Sequence, residues 1–290
     1  NKEVEVPQAF GGWHKDDAVR LDSSSGGVFS LLAEYVLAQG GVVFGCAWNE
    51  HMQAVHIGVE SKEELAKLRG SKYVQSNIGS VYIQVKRELE QKRKVLFSGT
   101  PCQSAGLYAY LGRHDENLWI VDFICHGVPS PVVFQTYIKH IERKYKSRVV
   151  SFRFRNKDHG WNPFGLQLGT YIQFADKTKV RNYPAYKDSF MNGFLDNLYL
   201  RPSCYCCKFK TLPKPYADFS MADFWGADRV GKELYDGRGT SLVLVHSEHG
   251  KKLWKHLNKT YGFQEVNFEK AVKYNQSFFH AADKNRKREE

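Results

Sequence analysis

Two mainly apolar segments, at residues 94–99 and 118–124, have the length of buried strands, and each is followed by a turn that contains glycine. The first segment leads through Gly99-Thr100-Pro101-Cys102 into a helix that the pattern predicts over 103–111. Strands that alternate with loops and helices are typical of an α/β core, in which sites gather at the carboxyl ends of the strands. We therefore predict a mixed α/β fold with a strand–loop–helix core.

The same pattern predicts the other elements. An apolar helix is expected over 28–38, because serines and glycines precede it and Gly40-Gly41 follows it. The remaining predicted elements before the core are strands at 42–48 and 54–59, helices at 62–68 and 80–89, and a polar loop at 69–76.

From about Val149 the pattern changes to alternation of apolar and polar residues. This alternation predicts a later antiparallel portion with strands at 150–155 and 165–174. A strand at 242–246 and a helix at 251–257 are expected near the end. We predict three parts of the chain, namely an extended lead-in over 1–22, an N-terminal domain over 23–95 and a C-terminal domain over 96–290.

Composition narrows the class of protein. The chain has 290 residues, of which 42% are hydrophobic, so it is long enough for a substantial core. No apolar run approaches the roughly 20 residues of a membrane span. Nothing resembles a signal peptide, and reduced thiols are typical of a cytoplasmic protein.

The net charge of +11 would favour binding to nucleic acid, to an acidic protein or to a phosphate-rich cofactor. Because the basic residues are dispersed and no nucleic-acid motif accompanies them, we predict no nucleic-acid partner.

The cysteines supply the main candidate chemistry. Cys102 and Cys125 each follow a predicted strand, and Cys204 and Cys207 form a C-x-x-C pair. This spacing lets two sulfurs of one loop reach the same metal, and two further thiolates would complete a zinc or iron–sulfur centre. Cys206 is an awkward additional ligand because it adjoins Cys207. Cys46 lies in an apolar strand, where cysteine usually acts as a small buried hydrophobe.

Three other segments have a functional and a structural interpretation each. Ser23-Ser24-Ser25-Gly26-Gly27 before a helix suits a phosphate group, but is equally an ordinary helix cap. The loop Gly70-Ser71-Lys72-Tyr73 offers a cation, hydroxyls and a ring, which are also common on surfaces. Asp223-Phe224-Trp225-Gly226 offers rings that stack on a flavin or simply fill a core. No Gly-x-Gly-x-x-Gly motif, Walker loop or nucleophile elbow is present.

Over about residues 20–250 the chain resembles the coenzyme F-420 hydrogenase/dehydrogenase beta-subunit family. The segments that carry the resemblance occur in the family's order: 23–27, 70–76, 97–103, 125–131 and 223–226. The family includes formate dehydrogenase beta subunits and a chlorophyll-pathway reductase. The resemblance implies a flavoprotein that binds FAD and a 4Fe–4S cluster and moves electrons between iron–sulfur centres and a hydride acceptor.

The resemblance also implies roles for individual residues. The cluster ligands would be Cys102, Cys125, Cys204 and Cys207. The FAD contacts would be Ser24, Ser25, Gly26, Gly27, Ser71, Lys72, Tyr73 and Thr100, with Lys72 offsetting the charge of the flavin. His126, beside a ligand cysteine, is a candidate for proton delivery or for tuning the cluster, and a structural hydrogen bond is the alternative. Where the family usually has an arginine before its Ser-Asp pair, this chain has Lys214-Pro215-Tyr216-Ala217-Asp218.

The expected partners follow from that chemistry. Many bacterial relatives carry a two-cluster ferredoxin domain upstream, and this chain has no such cysteine run. We therefore expect a ferredoxin, or an upstream ferredoxin-like domain, as electron donor, and a small-molecule hydride acceptor such as coenzyme F-420. Two alternatives from other classes are a zinc-stabilised binding module and a redox-degenerate accessory protein in polysaccharide biosynthesis.

Overall fold

The computed structural model describes residues 6–158, 160–162, 168–177 and 180–288. Its strands are β1 (Gln8–Gly12), β2 (Val42–Trp48), β3 (Ala54–Val59), β4 (Val95–Ser98), β5 (Leu118–Phe123), β6 (Val149–Asn156), β7 (Gly169–Phe174), β8 (Val180–Pro184), β9 (Phe219–Asp223), β10 (Ser241–Val245) and β11 (Gln264–Val266). Its α-helices are α1 (Asp17–Asp22), α2 (Val28–Leu37), α3 (Lys62–Leu65), α4 (Val81–Glu90), α5 (Pro101–Leu111), α6 (Pro131–Tyr145), α7 (Ser189–Leu195), α8 (Ala227–Val230), α9 (Glu248–Tyr261) and α10 (Phe268–Val272).

Eight strands form one mixed sheet in the order β11-β1-β10-β9-β5-β4-β2-β3. Its centre is parallel, because β2 pairs with β4, β4 with β5 and β5 with β9 in parallel register. The flanking strands β3, β10, β1 and β11 are antiparallel to their neighbours. The mixed α/β core is thus confirmed. Strands from both sides of residue 95 share this sheet, and the division into domains 23–95 and 96–290 remains a prediction.

Helices cover both faces of the central strands. Along β4, Leu96 packs in the core beneath α2 and α9, whereas Val95 and Phe97 pack in the core beneath α4 and α5. Successive side chains of a strand point to opposite faces, so a strand covered on both sides is apolar throughout. This explains why the pattern at 94–99 predicts the strand correctly.

The later antiparallel portion is a separate sheet of β6, β7 and β8. Its core is rich in aromatic rings, and the rings of Phe134 from α6, Phe154 from β6 and Phe190 from α7 lie in mutual contact. The antiparallel prediction is therefore confirmed. β7 begins at Gly169 rather than at 165, and residues 165–167 of the predicted strand lie outside the described residues.

Several predicted boundaries differ from the structure. The lead-in over 1–22 is not extended throughout, because residues 17–22 form α1. Asp16 begins this helix, since its side chain accepts hydrogen bonds from the backbone N–H groups of Ala18 and Val19. The helix predicted over 62–68 is only the short α3. No helix in the described ranges is long and apolar enough to cross a membrane.

A buried ion pair joins the segment before β9 to the centre of the sheet. Lys214 Nζ donates to Asp122 Oδ2 on β5 at 2.8 Å and to Ser220 Oγ on β9 at 3.3 Å. Ser220 donates to the other oxygen of Asp122 and lies 2.8 Å from His246 Nε2. Burial raises the pKa of Asp122, and the Lys214 ammonium opposes that rise. The ammonium therefore favours the ionised form of this enclosed carboxylate.

We predict that Lys214→Ala lowers the free energy of unfolding by about 3–5 kcal/mol, because it leaves the Asp122 charge buried without its partner. Without this ammonium the folded-state pKa of Asp122, already raised by burial, rises further above that of the unfolded chain, so the loss diminishes as the pH falls from about 7 to about 5 and folded Asp122 takes up a proton. Chemical denaturation of the variant and the parent protein at both pH values measures this difference.

Lys67→Ala is the control, since Lys67 and Glu64 form an exposed ion pair at 2.9 Å. We expect it to change the free energy of unfolding by less than about 1 kcal/mol. Equal destabilisation by the two substitutions would contradict the role given to Lys214.

Candidate cofactor site

Two predicted ligand cysteines lie at the same edge of the large sheet. β4 and β5 are parallel neighbours, so their carboxyl ends meet there. Cys102 lies in the first turn of α5, four residues after β4 ends, and Cys125 lies two residues after β5 ends. The sequence therefore predicted correctly that both cysteines follow buried strands.

The third cysteine segment is held against the loop that follows β5. Arg201 N donates to Val128 O at 2.9 Å, and Pro129 and Leu200 form an isolated antiparallel bridge. Gly127 has a φ of +147°, and a Cβ placed on it would lie 3.3 Å from the Cβ of Cys204. A glycine is required there by both its backbone conformation and the close approach of the cysteine segment.

The thiols of these loops are electrostatic neighbours. Burial, opposed by the charge of Lys210 and assisted by the charges of Cys102 and Cys204, raises the pKa of Cys125 to about 12. Burial also raises the pKa of Cys204, again with contributions from Cys102 and from Cys207. The structure therefore places the four predicted ligands close enough to influence one another's ionisation.

The chemistry of this donor set fits a thiolate-bound metal centre. All six cysteines are free rather than paired in disulfides, and Cys206 and Cys102 are exposed while the others are partly buried. Within the described residues, no three His, Cys, Asp or Glu side chains are arranged so that they could hold a metal ion. Cluster ligation by the four thiols remains a prediction.

Lys210 is a neighbour of the thiols that the sequence did not single out. Its Nζ donates to the carbonyl oxygen of Cys125 and, at 2.7 Å, to that of Ser277. Burial lowers the pKa of Lys210, and Cys125 and Cys207 oppose this. The lysine therefore provides positive charge beside sulfurs that would be anionic in a bound cluster. The only sequence signal for this role is that Lys210 lies three residues after the predicted ligand Cys207.

His126 makes a structural hydrogen bond. Its Nε2 lies 2.7 Å from Asn197 Oδ1, and its ring packs edge-on against Phe194. Burial lowers the pKa of His126. The bond to Asn197 corresponds to the structural alternative, and proton delivery by this histidine remains a prediction.

The serine–glycine segment, residues 23–27, and the loop at 70–73 are in direct contact. Ser24 Oγ accepts hydrogen bonds from Ser71 N at 2.8 Å and from Ser71 Oγ at 2.9 Å. Ser25 Oγ donates to Thr240 O at 2.6 Å. The structure thus joins two segments that the sequence proposed as contacts of one cofactor.

The glycines of this segment are needed for close packing. A Cβ on Gly26 would lie 2.4 Å from Gly12 O, so no side chain fits there. Gly27 has a φ of +91° and is itself the N-cap of α2, with no side-chain capping bond. The serines therefore do not cap α2, because the hydroxyls of Ser24 and Ser25 bond to distant segments and that of Ser23 donates to Val19 O of α1.

Lys72 differs from the role expected for it. Its Nζ donates to the carbonyl oxygens of four preceding residues, with distances of 2.8 to 3.2 Å: Lys67, Leu68, Arg69 and Gly70. Burial lowers the pKa of Lys72 to about 8. Its amine is thus engaged in holding its own loop, and its action on a flavin remains a prediction.

Arg155 connects the two sheets at this site. Its guanidinium forms two bonds of 2.7 Å with the carboxylate of Asp223, at the end of β9. It also donates to Tyr73 OH at 2.9 Å and to Ser24 O at 3.3 Å. Its buried Nε has no hydrogen-bond partner among the residues that the structure describes. A buried donor without a partner is costly, and it is suited to an acceptor atom of a ligand.

Lys157 lies beside the same segment. Its Nζ donates to Arg20 O at 2.7 Å and to Ser25 O at 2.5 Å. Burial lowers the pKa of Lys157 to about 7. Nearby, the rings of Trp161 and Trp225 stack at 5.5 Å, and the Arg155 guanidinium lies 5.4 Å from the Trp225 ring. The region combines buried cations with flat aromatic surfaces.

The sequence missed Arg155 because a regular strand would place it on the same face as Arg153. The pairing of β6 with β7 shifts register between Arg153 and Asn156, so Arg153 is exposed while Arg155 is buried. A β-bulge redirects a side chain without leaving a clear signal in the sequence.

Thr100, a predicted FAD contact, lies at the cysteine edge. Its Oγ1 is 3.1 Å from Cys102 Sγ and 3.0 Å from Gln103 Oε1. The serine–glycine segment, the loop at 70–73 and the cysteine loops therefore account for every predicted site residue. Contact of any of these residues with FAD remains a prediction.

Comparison with known proteins agrees with this architecture. The chain matches two family models of the coenzyme F420 hydrogenase/dehydrogenase beta subunit, that of its N-terminal part over residues 9–82 and that of its C-terminal part over residues 92–270. No curated protein matches the sequence significantly. One matching solved structure comes from a xenon-derivatisation study of the F420-reducing NiFe hydrogenase complex of Methanosarcina barkeri.

That match covers 99% of this chain and 92% of the other chain, with a TM-score of 0.63 and 16% identity, which shows that the fold is similar. The two family models together span most of the chain, and their order is that of the beta subunit. The chain therefore belongs to the coenzyme F420 hydrogenase/dehydrogenase beta-subunit family, a family of oxidoreductase subunits.

Proposed function

We propose that this chain is an iron–sulfur flavoprotein that passes electrons between a 4Fe–4S cluster and FAD, and between FAD and a small-molecule hydride acceptor. A single loop, residues 69–76, carries the proposal because it contacts both groups of predicted site residues. Ser71 bonds to Ser24 of the serine–glycine segment, and Gln75 N donates to Pro129 O in the loop of Cys125 at 3.1 Å. Two cofactors held by these segments would be neighbours.

The four gathered thiols would hold the cluster, and Lys210 would offset part of the negative charge of the sulfurs. Reduction potentials of such clusters depend on charge, burial and hydrogen bonding around the sulfurs. Partial burial of Cys125, Cys204 and Cys207 limits their contact with water, and the exposed Cys102 leaves one side open to an electron donor. We propose a ferredoxin or ferredoxin-like domain as that donor, because the +11 chain would attract an acidic protein.

The serine–glycine segment, Tyr73 and Arg155 would bind and orient the flavin. Arg155 contributes a fixed cation whose Nε lacks a partner among the described residues, and Lys157 contributes an amine beside Ser25. When bound, a flavin collects two electrons and exchanges them with a substrate as a hydride. The family's name, and the F420-reducing complex from which the structural neighbour comes, make coenzyme F420 the first acceptor to test. The free thiols suit the reducing cytoplasm.

Cys204→Ser should lower the iron and acid-labile sulfide content after anaerobic reconstitution to well under about half that of the parent protein, because a hydroxyl is a poor ligand for iron. Cys206→Ser is the matched control. Cys206 is exposed, and its thiol lies near only local carbonyl oxygens, those of Pro202 at 3.8 Å and Ser203 at 4.0 Å. Equal iron loss in both variants would count against the assigned ligand set.

Arg155→Met should weaken FAD binding about 10- to 100-fold, as expected when a buried charged hydrogen bond is lost. The FAD affinity of Arg155→Lys should lie between those of Arg155→Met and the parent protein, since lysine keeps the charge but not the paired N–H groups. Quenching of flavin fluorescence measures the Kd, and circular dichroism checks the fold.

The control for this series is Arg153→Met, in the same strand, since the side chain of Arg153 is 53% exposed. It should bind FAD as the parent protein does. If Arg155→Met and Arg153→Met bind FAD with equal affinity in folded protein, the flavin site lies elsewhere.

A further inference from the structure

A continuous chain of hydrogen bonds connects the loop at 69–76 to Cys102. Gln103 Nε2 donates to Ser76 Oγ at 2.9 Å, across 27 positions of sequence. Gln103 Oε1 accepts from Thr100 N and from Thr100 Oγ1, both at 3.0 Å. Thr100 Oγ1 in turn lies 3.1 Å from Cys102 Sγ. Gln103 is therefore the link between Ser76 and the turn that carries this cysteine.

The direction of these bonds is fixed at the far end by a backbone carbonyl. His56 Nε2 lies 3.1 Å from Ser98 O, which can only accept, so Nε2 carries the proton. Burial lowers the pKa of His56 to about 4, which keeps the ring neutral, and its Nδ1 must accept from Ser76 Oγ at 2.9 Å. The hydroxyl proton of Ser76 is then donated to His56, so Ser76 Oγ must accept a hydrogen bond from Nε2–H of Gln103. A side chain without a donor at position 103 cannot replace it.

The surroundings hold this chain in place. Ser76 and His56 are buried, and the His56 ring stacks on Phe97 of β4 at 5.6 Å. Tyr82 OH on α4 donates to Gln103 O at 2.7 Å, which fixes the first turn of α5. A buried network in which each group has its partner is rigid, and removal of one member disturbs the others.

We propose that Gln103 is a positioning residue that couples the loop at 69–76 to Cys102, so that FAD binding and cluster assembly strengthen each other. This inference rests on the proposed function, because Ser71 in that loop meets the serine–glycine segment and Cys102 is a proposed cluster ligand. Coupling between two sites is reciprocal, so each cofactor should raise the affinity for the other by the same factor.

The first test needs no cofactor. Unfolding of metal-free, flavin-free protein is measured for Gln103→Met, Ser76→Ala and the double variant. If the two side chains are coupled, the double variant changes the unfolding equilibrium constant at least about threefold less than the product of the single changes. The control cycle is Gln84→Met with Ser80→Ala, an exposed pair joined at 3.0 Å. It should be multiplicative to within about twofold.

The second test measures the linkage itself. The Kd of FAD is measured by fluorescence quenching without and with the reconstituted cluster. The parent protein and Gln84→Met should bind FAD at least about fivefold more tightly with the cluster present. Gln103→Met should still bind FAD and the cluster, but its Kd for FAD should be nearly the same without and with the cluster. A general loss of stability would not produce this pattern.

The inference is overturned if the cluster raises the FAD affinity of Gln103→Met by the same factor as that of the parent protein. It is also overturned if the effects of Gln103→Met and Ser76→Ala on the unfolding equilibrium constant multiply. A parent protein that binds neither FAD nor iron overturns the proposed function, and with it the linkage of cofactors. In that case the unfolding cycle still shows whether Gln103 couples the two loops, so the two failures are distinguishable.

Discussion

The parallel pairing of β4 with β5 is the constraint on which the site depends. Parallel strands end at the same edge of a sheet, so the loops that follow them are neighbours whatever their separation in sequence. Here those loops carry Cys102 and Cys125. The buried apolar side chains on both faces fix the register of these strands, because a shift by one residue would exchange the two faces. The position of the thiols is therefore a consequence of how the core packs.

Around that edge, polar contacts between distant segments complete the site. The Arg155–Asp223 pair joins the small sheet to the large one, and the bonds from Ser71 to Ser24 join two loops. Buried charges of this kind are expensive unless each finds its partner, and they contribute more to specific geometry than to stability. Among the described residues one exception is the Nε of Arg155, which has no hydrogen-bond partner there and which we propose as a donor to the flavin.

The sequence predicted those features that local patterns encode. Apolar runs predicted β4 and β5, and cysteine spacing indicated a shared thiolate site. β9 was missed because 218–223 contains two aspartates and a serine, and the partners that satisfy Asp218 and Ser220 come from elsewhere in the chain. α6 was missed although Ser130-Pro131 is a recognisable helix start. The burial of Arg155 could not be predicted from the sequence, since it follows from a shift in strand register.

The most direct test is an anaerobic ultraviolet–visible spectrum of the unaltered protein, with iron, acid-labile sulfide, zinc and flavin measured on the same sample. The account predicts flavin bands above a broad iron–sulfur shoulder, with iron and sulfide in equal amounts of about four per chain when the cluster is complete. A colourless protein that contains one zinc ion and no sulfide would contradict it, and would instead favour a zinc-stabilised binding module.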